Sequence, residues 1–397
     1  GRFMLVYLDN SATTRPYDAV TAAMTEAMKD NFGNPSSLHS LGLQAEKEVK
    51  NARKTVAKCF GAGEDEIYFT SCGTESDNTV LMGTAQAKKR RGNKIIVSAV
   101  EHPAILEPAK RLESMGYKID YIGVDRLCRL NLEQLAASLD DETILISVMG
   151  VNNETGTIMP IDKIAELKDA YNQKNGTDIW LHCDAVQALG KIPVNVGRKY
   201  RGVDFVSASA HKIHGPKGMG VLYAKKGLNL PPFMLGGGQE RHMRSGTENT
   251  PGIIGFGKAC EIADENFVQR TSAMKEARQY LLDLIKDQIG DIVINSPQDE
   301  TGCPSVLNVS FLGTRGEVLL HTLEQDGIFV STGSACSSNH SSSKGSHVLN
   351  AMGLSPKEIE SAIRFSFSEF NTREEMEYVA DKLKTAVIRF RKLGSFR

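Results

Sequence analysis

The chain has 397 residues, of which 41% are hydrophobic and 24% charged, so it can bury a large core without disulfides or metals. Its 47 basic and 48 acidic residues leave a formal net charge of -1, and the longest basic run, at positions 88–91, ends a predicted helix. This balance argues against nucleic acid and membrane surfaces as partners.

The longest apolar runs, such as residues 144–148, are too short to span a bilayer, and no charged and then apolar leader precedes Met4. We therefore expect a cytoplasmic protein. No Cys-x-x-Cys pair or neighbouring histidine at metal-ligand spacing accompanies the seven cysteines, at positions 59, 72, 128, 183, 260, 303 and 336. This pattern disfavours disulfides and structural zinc, and we predict no metal site.

Strands and helices alternate along the first part of the chain. A short strand at 6–8 and helices at 18–29 and about 41–60 come first. Short apolar runs then predict strands at 67–70, 94–97, 117–121, 143–148, 180–183 and 203–206. Helical patterns fall between them, near 75–91, 104–115, 131–139 and 161–173. The alternation predicts an α/β fold with a mainly parallel sheet covered by helices on both faces.

The pattern changes after residue 223. A long helical stretch from about 251 to 289 is followed by strands at 292–294, 306–311 and 363–367 and by helices at 316–325 and 372–392. Mixed strands and helices in this order predict a smaller α+β domain.

Lys212 lies where the buried strand at 203–206 gives way to a turn rich in glycine and proline. Sheets of α/β proteins place their chemistry at such strand ends. A lysine flanked by hydroxyls and a histidine suits an amine that forms a Schiff base with a phosphate-bearing cofactor. A solvated loop lysine is the alternative that this stretch leaves open.

Two further strand ends carry residues suited to such a cofactor. Gly73 and Thr74 stand between a strand and a helix, where small residues and unpaired N–H groups can hold a phosphate. Asp184 ends another strand and can pair with a protonated ring nitrogen. An ordinary helix start explains each position equally well when it is taken alone.

His102 and Asn153 also follow predicted strands. An imidazole at position 102 can stack on an aromatic cofactor or move protons, although a lone histidine is more often structural. The Asn153 amide can bond a ring hydroxyl, and a simple turn is its alternative. Since all these residues follow strand carboxyl ends, which share one edge of a parallel sheet, we expect them to meet in one site.

Two candidates lie later in the chain. Cys336 is surrounded by small polar residues in a Ser-rich loop, where a thiol can reach a substrate and ionise; an idle surface thiol is the alternative. Arg364 stands within an alternating strand, where its planar fork can hold a substrate carboxylate or form an ordinary surface salt bridge.

Taken together, these motifs resemble the NifS/IscS-like cysteine desulfurases within the class V aminotransferase group of pyridoxal-phosphate enzymes. The resemblance covers nearly the whole chain, through segments 8–14, 32–36, 74–75, 101–102, 152–154, 184–187, 209–212, 243–247, 333–336 and 363–366. It implies the fold type I of pyridoxal-phosphate transferases, with a seven-stranded sheet in a large domain. We expect that domain at 15–255 and a small domain, which carries the cysteine loop, at 4–14 and 256–397.

The resemblance also implies a role for each site residue. Lys212 would carry pyridoxal 5'-phosphate as a Schiff base, and Cys336 would be the nucleophile. The ring would be held by Asp184 at its nitrogen, His102 on its face, and Gln187 and Asn153 at its hydroxyl. The phosphate would be held by Gly73, Thr74, Ser209 and His211, with Thr247 from the partner subunit of a homodimer. Arg364 and Asn153 would bind the substrate carboxylate.

The chain departs from the family pattern at two positions. Cys72 stands in a turn that usually reads Ser-Gly-Ala-Thr, and Pro103 follows His102 where lysine is common. Neither change removes a catalytic group. We expect L-cysteine to be converted to L-alanine, with sulfur passed through Cys336 to an iron-sulfur scaffold or a tRNA-thiolation protein. The alternatives are a selenocysteine lyase or another class V enzyme, and a non-catalytic scaffold or regulator.

Overall fold

The computed structural model describes residues 1–332 and 345–394. A seven-stranded sheet forms its centre, built from β2 (Ile67–Thr70), β3 (Lys94–Ser98), β4 (Lys118–Ile122), β5 (Thr143–Ser147), β6 (Trp180–Asp184), β7 (Phe205–Ser209) and β8 (Gly220–Ala224). The strand order is β2-β8-β7-β6-β5-β3-β4. Only β8 pairs antiparallel with its neighbours, so the predicted mainly parallel sheet of seven strands is confirmed.

Helices cover both faces of this sheet and bury its central strands, as their continuous apolar runs require. They are α1 (Asp18–Lys29), α2 (Ser40–Phe60), α3 (Gly73–Ala87), α4 (Pro103–Ser114), α5 (Leu132–Ser138), α6 (Ile161–Asn175) and α7 (Thr250–Glu265). On α2 the buried residues recur at helical spacing, at positions 45, 49, 52, 56 and 60. This face packs closely on α7, where a Cβ at Gly257 would lie 2.9 Å from the Cβ of Ala52.

A second group of elements surrounds a smaller sheet, ordered β12-β10-β9. It comprises β9 (Ile292–Ile294), β10 (Val306–Phe311), β12 (Ala362–Ser366), α8 (Phe267–Gln288), α9 (Gly316–Gln325), α10 (His347–Ala351), α11 (Pro356–Glu360) and α12 (Arg373–Gly394), with β1 (Val6–Tyr7) paired to β11 (Ile328–Phe329). Its core joins Val6 and Leu8 to residues from 274 onward. The proposed domain boundaries at 15 and 256 stay a prediction.

Two expectations from the sequence differ from the structure. The helical stretch predicted at about 251–289 is two helices, α7 and α8, which meet at Asn266. The Asn266 side chain donates to the carbonyl of Ile262 at 2.9 Å, and such side-chain bonds compete with helix continuation. The strand predicted at 203–206 is displaced and runs through Ser209. Within the part of the chain described, no helix is both long and apolar enough to cross a membrane.

Candidate active site

A cavity of about 400 Å³ lies at the edge of the large sheet where β3, β5, β6 and β7 end. The N-terminal segment, through Asp9, Ser11 and Ala12, and the smaller sheet, through Arg364, complete its wall. Ten of the predicted site residues line it: Gly73, Thr74, His102, Asn153, Asp184, Gln187, Ser209, His211, Lys212 and Arg364. The expectation that strand ends bring these side chains together therefore matches the geometry, while their individual roles stay predictions.

Two predicted residues are not among those that line the cavity. Thr247 is exposed in the loop before α7, and its assignment to the cofactor site of a partner subunit stays a prediction. Cys336 lies outside the described residues.

Lys212 ends the single 3-10 turn, Ala210–Lys212, that directly follows β7. Its Nζ donates to the carbonyl of Ser11 and, at 3.1 Å, to that of Ala12. Beneath it, the buried Lys191 donates from Nζ to the Lys212 carbonyl at 2.7 Å. Burial lowers the pKa of Lys191 to about 7, so this second lysine fixes the turn without adding a full positive charge at neutral pH.

The start of α3 at Gly73, which we call the α3 cradle, forms a site for an anion together with Ser209 and His211. Helix α3 begins at Gly73 with no side chain capping its first turn, so its leading N–H groups remain available. A Cβ at Gly73 would lie 2.7 Å from Val186, so only glycine allows this approach. The Ser209 hydroxyl is buried and has no hydrogen-bond partner in the described part of the chain, and His211 bonds Thr13 at 3.0 Å. Burial and nearby lysines lower the pKa of His211 to about 4, so its neutral ring can donate to a phosphate.

Asp184 and His102 line the cavity together with Lys212. Asp184 is 5% exposed and accepts the Val186 N–H at 3.0 Å. His102 caps α4 by accepting the Ala104 N–H at 3.0 Å, so the structural role weighed for it is real and coexists with its place in the cavity wall. Burial lowers the pKa of His102, which favours the neutral imidazole. Gln187 donates to the Ser11 carbonyl at 2.9 Å.

Arg364 is buried, at 6% exposure, and it pairs with Asp9, so the salt bridge weighed as its alternative is present but is largely buried. Its Nη2 donates to Asp9 at 3.1 Å, and its Nη1 donates to the Asn153 carbonyl at 3.0 Å. Among the described residues, the Nε has no hydrogen-bond partner. The guanidinium is thus held in place by two of its five N–H donors, and the donors that remain suit a substrate carboxylate.

Sequence reasoning missed the polar groups buried below the cavity. Asp77 on α3, Glu101 after β3 and His182 in β6 are each 0% exposed. The sequences around Asp77 and His182 predict an ordinary helix and an ordinary strand. Burial of these polar residues depends on packing between distant segments, which the local sequence does not indicate. The segment 181–187 carries the one sequence signal for a buried polar group. His182 and Asp184 are two positions apart on the same strand, so their side chains point to the same face of the sheet.

The donor set fits pyridoxal 5'-phosphate. The unpartnered Ser209 hydroxyl and the start of α3 suit the phosphate, Asp184 suits the ring nitrogen, and Lys212 suits the aldehyde. A neutral imidazole from His102 can lie against the ring face. The cavity volume of about 400 Å³ also leaves room for a small substrate beside the ring.

Comparison with known proteins places the chain in a family. The aminotransferase class-V family matches residues 6–379. A cysteine desulfurase IscS of Dictyoglomus turgidum is 42% identical over 392 residues, covering 99% of this chain and 97% of its own.

Solved structures agree with this placement. A NifS-like protein superposes with a TM-score of 0.88 at 40% identity, covering 96% of this chain and 99% of its own. A structure described as SspA in complex with cysteine gives 0.80 at 31% identity, covering 92% and 100%. The chain belongs to the class V aminotransferase family of pyridoxal-phosphate enzymes, in its NifS/IscS-like cysteine desulfurase group.

Proposed function

We propose that the protein is a cysteine desulfurase that converts L-cysteine to L-alanine and passes the sulfur to Cys336 as a persulfide. The observation that carries the proposal is the convergence of Lys212, Asp184, the α3 cradle and Arg364 on one cavity. Near full-length identity of 42% to a relative named as a cysteine desulfurase supports the choice of reaction.

The cavity residues divide the chemistry among them. Pyridoxal phosphate, when bound, accepts the electrons released from the substrate Cα. Asp184 keeps a proton on the ring nitrogen, and the α3 cradle with Ser209 and His211 holds the phosphate. His102, which lines the cavity, would lie against the face of the bound ring and exclude water from it. The Lys212 amine first binds the cofactor and then, once displaced, takes the Cα proton, for which it must be neutral.

Sulfur transfer needs a nucleophile, and the proposal assigns this role to Cys336 rather than to Cys72, the thiol that lines the described part of the cavity. The Cys336 thiolate attacks the substrate sulfur, so a sulfur–sulfur bond forms while the bond from Cβ to sulfur breaks. The electrons of the broken bond remain with the substrate carbons; a proton added to Cβ forms the methyl group, and the proton that Lys212 removed returns to Cα to complete alanine. The persulfide on Cys336 is then passed to an acceptor protein, of the iron-sulfur scaffold or tRNA-thiolation kind. We place this reaction in the cytoplasm.

A homodimer is part of the proposal. Large apolar side chains stand exposed on two loops, with Leu38 at 91%, Leu235 at 81%, Phe32 at 65% and Phe233 at 52% exposure. Apolar exposure of this kind marks surfaces that associate with other proteins. Thr247 lies twelve residues after Leu235 in the same region of sequence, so a partner that covers this surface can receive Thr247 at its own phosphate site.

An absorbance spectrum recorded before and after addition of L-cysteine tests the reaction. We expect the purified protein to show the visible band of a lysine-bound cofactor, which L-cysteine changes, and alanine to appear with one sulfide per turnover when a thiol reductant is present. A colourless protein that cannot be reconstituted would favour the scaffold alternative. A keto acid in place of alanine would point to an aminotransferase.

Replacing Arg364 with lysine should raise the KM for L-cysteine by about 10- to 100-fold and change kcat much less. A lysine keeps the charge but not the planar fork, and hydrogen bonds to a charged group contribute about 1.5–3 kcal/mol. Steady-state kinetics at several cysteine concentrations measure this. Arg315, an exposed arginine paired with Glu360, provides the matched control, and its lysine variant should behave as wild type. An unchanged KM in the Arg364 variant would remove this residue from the substrate site.

A further inference from the structure

A second carboxyl group lies behind Asp184. Asp77, in the first turns of α3, lines the same cavity, yet its side chain is only 1% exposed. Neither of its carboxyl oxygens has a hydrogen-bond donor among the described residues. The mechanism above gives Asp77 no role, and a buried carboxyl without a donor needs an explanation because buried polar groups are normally bonded.

The groups that face Asp77 do not neutralise a negative charge. The nearest base is His182, whose Nε2 lies 3.4 Å from Asp77 Oδ1. Its ring is held on both sides, by Ser147 at Nδ1 and Ser207 at Nε2, each at 2.8 Å. Burial lowers the pKa of His182 to about 4, so the imidazole is neutral at physiological pH.

The other titratable neighbours are acids. Asp184 lines the same cavity as Asp77 and lies two positions after His182 on β6, and both Asp184 and Glu101, after β3, raise the pKa of Asp77. Burial raises the pKa of Glu101 to about 8, and its Oε2 accepts hydrogen bonds from Ser98 and from the Met149 N–H. Asp77 therefore faces two carboxyl groups, one neutral imidazole and the Ser207 hydroxyl, whose effect of lowering the pKa of Asp77 is smaller than the opposing effects of burial and Asp184.

Protonation of Asp77 removes its negative charge and with it the repulsion from the neighbouring carboxyl groups. Burial first, and the adjoining Asp184 second, raise the pKa of Asp77 well above its usual range. Two carboxylates that share a buried site cannot both ionise at low cost, so one of them keeps its proton. A protonated Asp77 has an O–H to donate, and the Asp184 carboxylate is the acceptor beside it.

We propose that Asp77 is a positioning residue that keeps its proton and donates it in a hydrogen bond to Asp184. The Val186 N–H and the Asp77 O–H then hold the Asp184 carboxylate from two sides and leave it one negative charge to present to the cavity. A carboxylate held in this way would accept a hydrogen bond from the protonated ring nitrogen of bound pyridoxal phosphate. This inference rests on the proposed role of Asp184, and it adds the group that sets the charge of that residue.

Two variants of similar size separate a proton donor from mere packing. Asp77→Asn keeps a donor facing Asp184 but cannot ionise, and Asp77→Leu fills the space without a donor. The exposed Asp381 on α12 supplies a matched control through Asp381→Asn.

The first measurement uses the apoprotein and needs no catalytic activity. The folded wild type binds the Asp77 proton more tightly than the unfolded chain, so its stability must fall, relative to Asp77→Asn, as pH rises above about 4. The ratio of the two unfolding constants should change by up to tenfold per pH unit until Asp77 ionises in the folded protein. Glu101 is present in both chains, and its contribution cancels. Asp381→Asn should show no such pH-dependent gap.

The second measurement is the titration of apoprotein with pyridoxal phosphate, followed by absorbance across pH. We expect Asp77→Asn to bind within about threefold of wild type, and Asp77→Leu to bind about 10- to 100-fold more weakly, with a shifted pH dependence of the cofactor band. A pH-independent stability difference between wild type and Asp77→Asn would overturn the proposal, as would equal impairment of the two variants. Because neither measurement involves desulfuration, both remain informative if the proposed reaction fails.

Discussion

Alanine in place of Lys212 is expected to abolish the lysine-bound cofactor band and to lower the rate of alanine formation by about 10³-fold or more. Among the described residues, Lys212 is the one lysine that lines the cavity, so the variant keeps no amine that can replace it. Asp184 and the α3 cradle remain, and the variant should still bind pyridoxal phosphate noncovalently. Absorbance, cofactor retention after borohydride reduction, and alanine assays measure these three effects.

Lys225→Ala is the matched control for this experiment. Lys225 is an exposed lysine directly after β8, on the strand that pairs with β7, and its side chain does not line the cavity. The control should retain the band, the reducible cofactor and the full rate. If Lys212→Ala kept the wild-type spectrum after reduction and denaturation, the cofactor would be bound through another amine, and the central assignment would be wrong.

The position of Lys212 could be predicted because local sequence determines it. The buried run at 203–206 gives way to the small residues 207–210, and a polar group that follows them emerges at the carboxyl edge of the sheet. The same reasoning placed His102, Asp184 and Gly73 at one edge. Parallel strands share that edge whatever their order, so the site could be assembled before the strand order was known.

The antiparallel strand β8 could not be recognised in this way. Its sequence, Gly220–Ala224, is an apolar run like the others, and direction in a sheet is set by the connection rather than by the strand. Only residues 210–219 join β7 to β8, with one 3-10 turn and no crossover helix. That connection is too short to return the chain to the opposite edge, so β8 runs back beside β7.

Buried polar groups were the larger omission. Asp77 and Lys191 look like surface residues of a helix and a turn, and each is buried because separate segments close over it. Lys191 acts on the turn of Lys212 from a position 21 residues earlier in the chain. Such contacts depend on the packed structure, whereas the residues that line the cavity follow from strand ends and residue chemistry.

Serine in place of Cys336 is expected to leave the cofactor band and its response to L-cysteine intact while alanine formation falls by at least about 10²-fold. The groups that we propose to bind cysteine and to move its Cα proton, Arg364 and Lys212, line the cavity, and the substitution at residue 336 leaves both in the chain. A hydroxyl is a far weaker nucleophile than a thiolate toward sulfur. Stopped-flow absorbance measures the early spectral change, and amino-acid analysis measures alanine.

The matched control is Cys72→Ser, because Cys72 is the thiol that lines the cavity within the described residues. Its Sγ lies 3.6 Å from the Ser71 hydroxyl at the start of α3, beside the proposed phosphate cradle. A thiol there faces the phosphate end rather than Arg364, and we expect its serine variant to form alanine at close to the wild-type rate. If Cys72→Ser stopped alanine formation and Cys336→Ser did not, the departure at position 72 would mark the nucleophile, and sulfur would leave from the cavity wall.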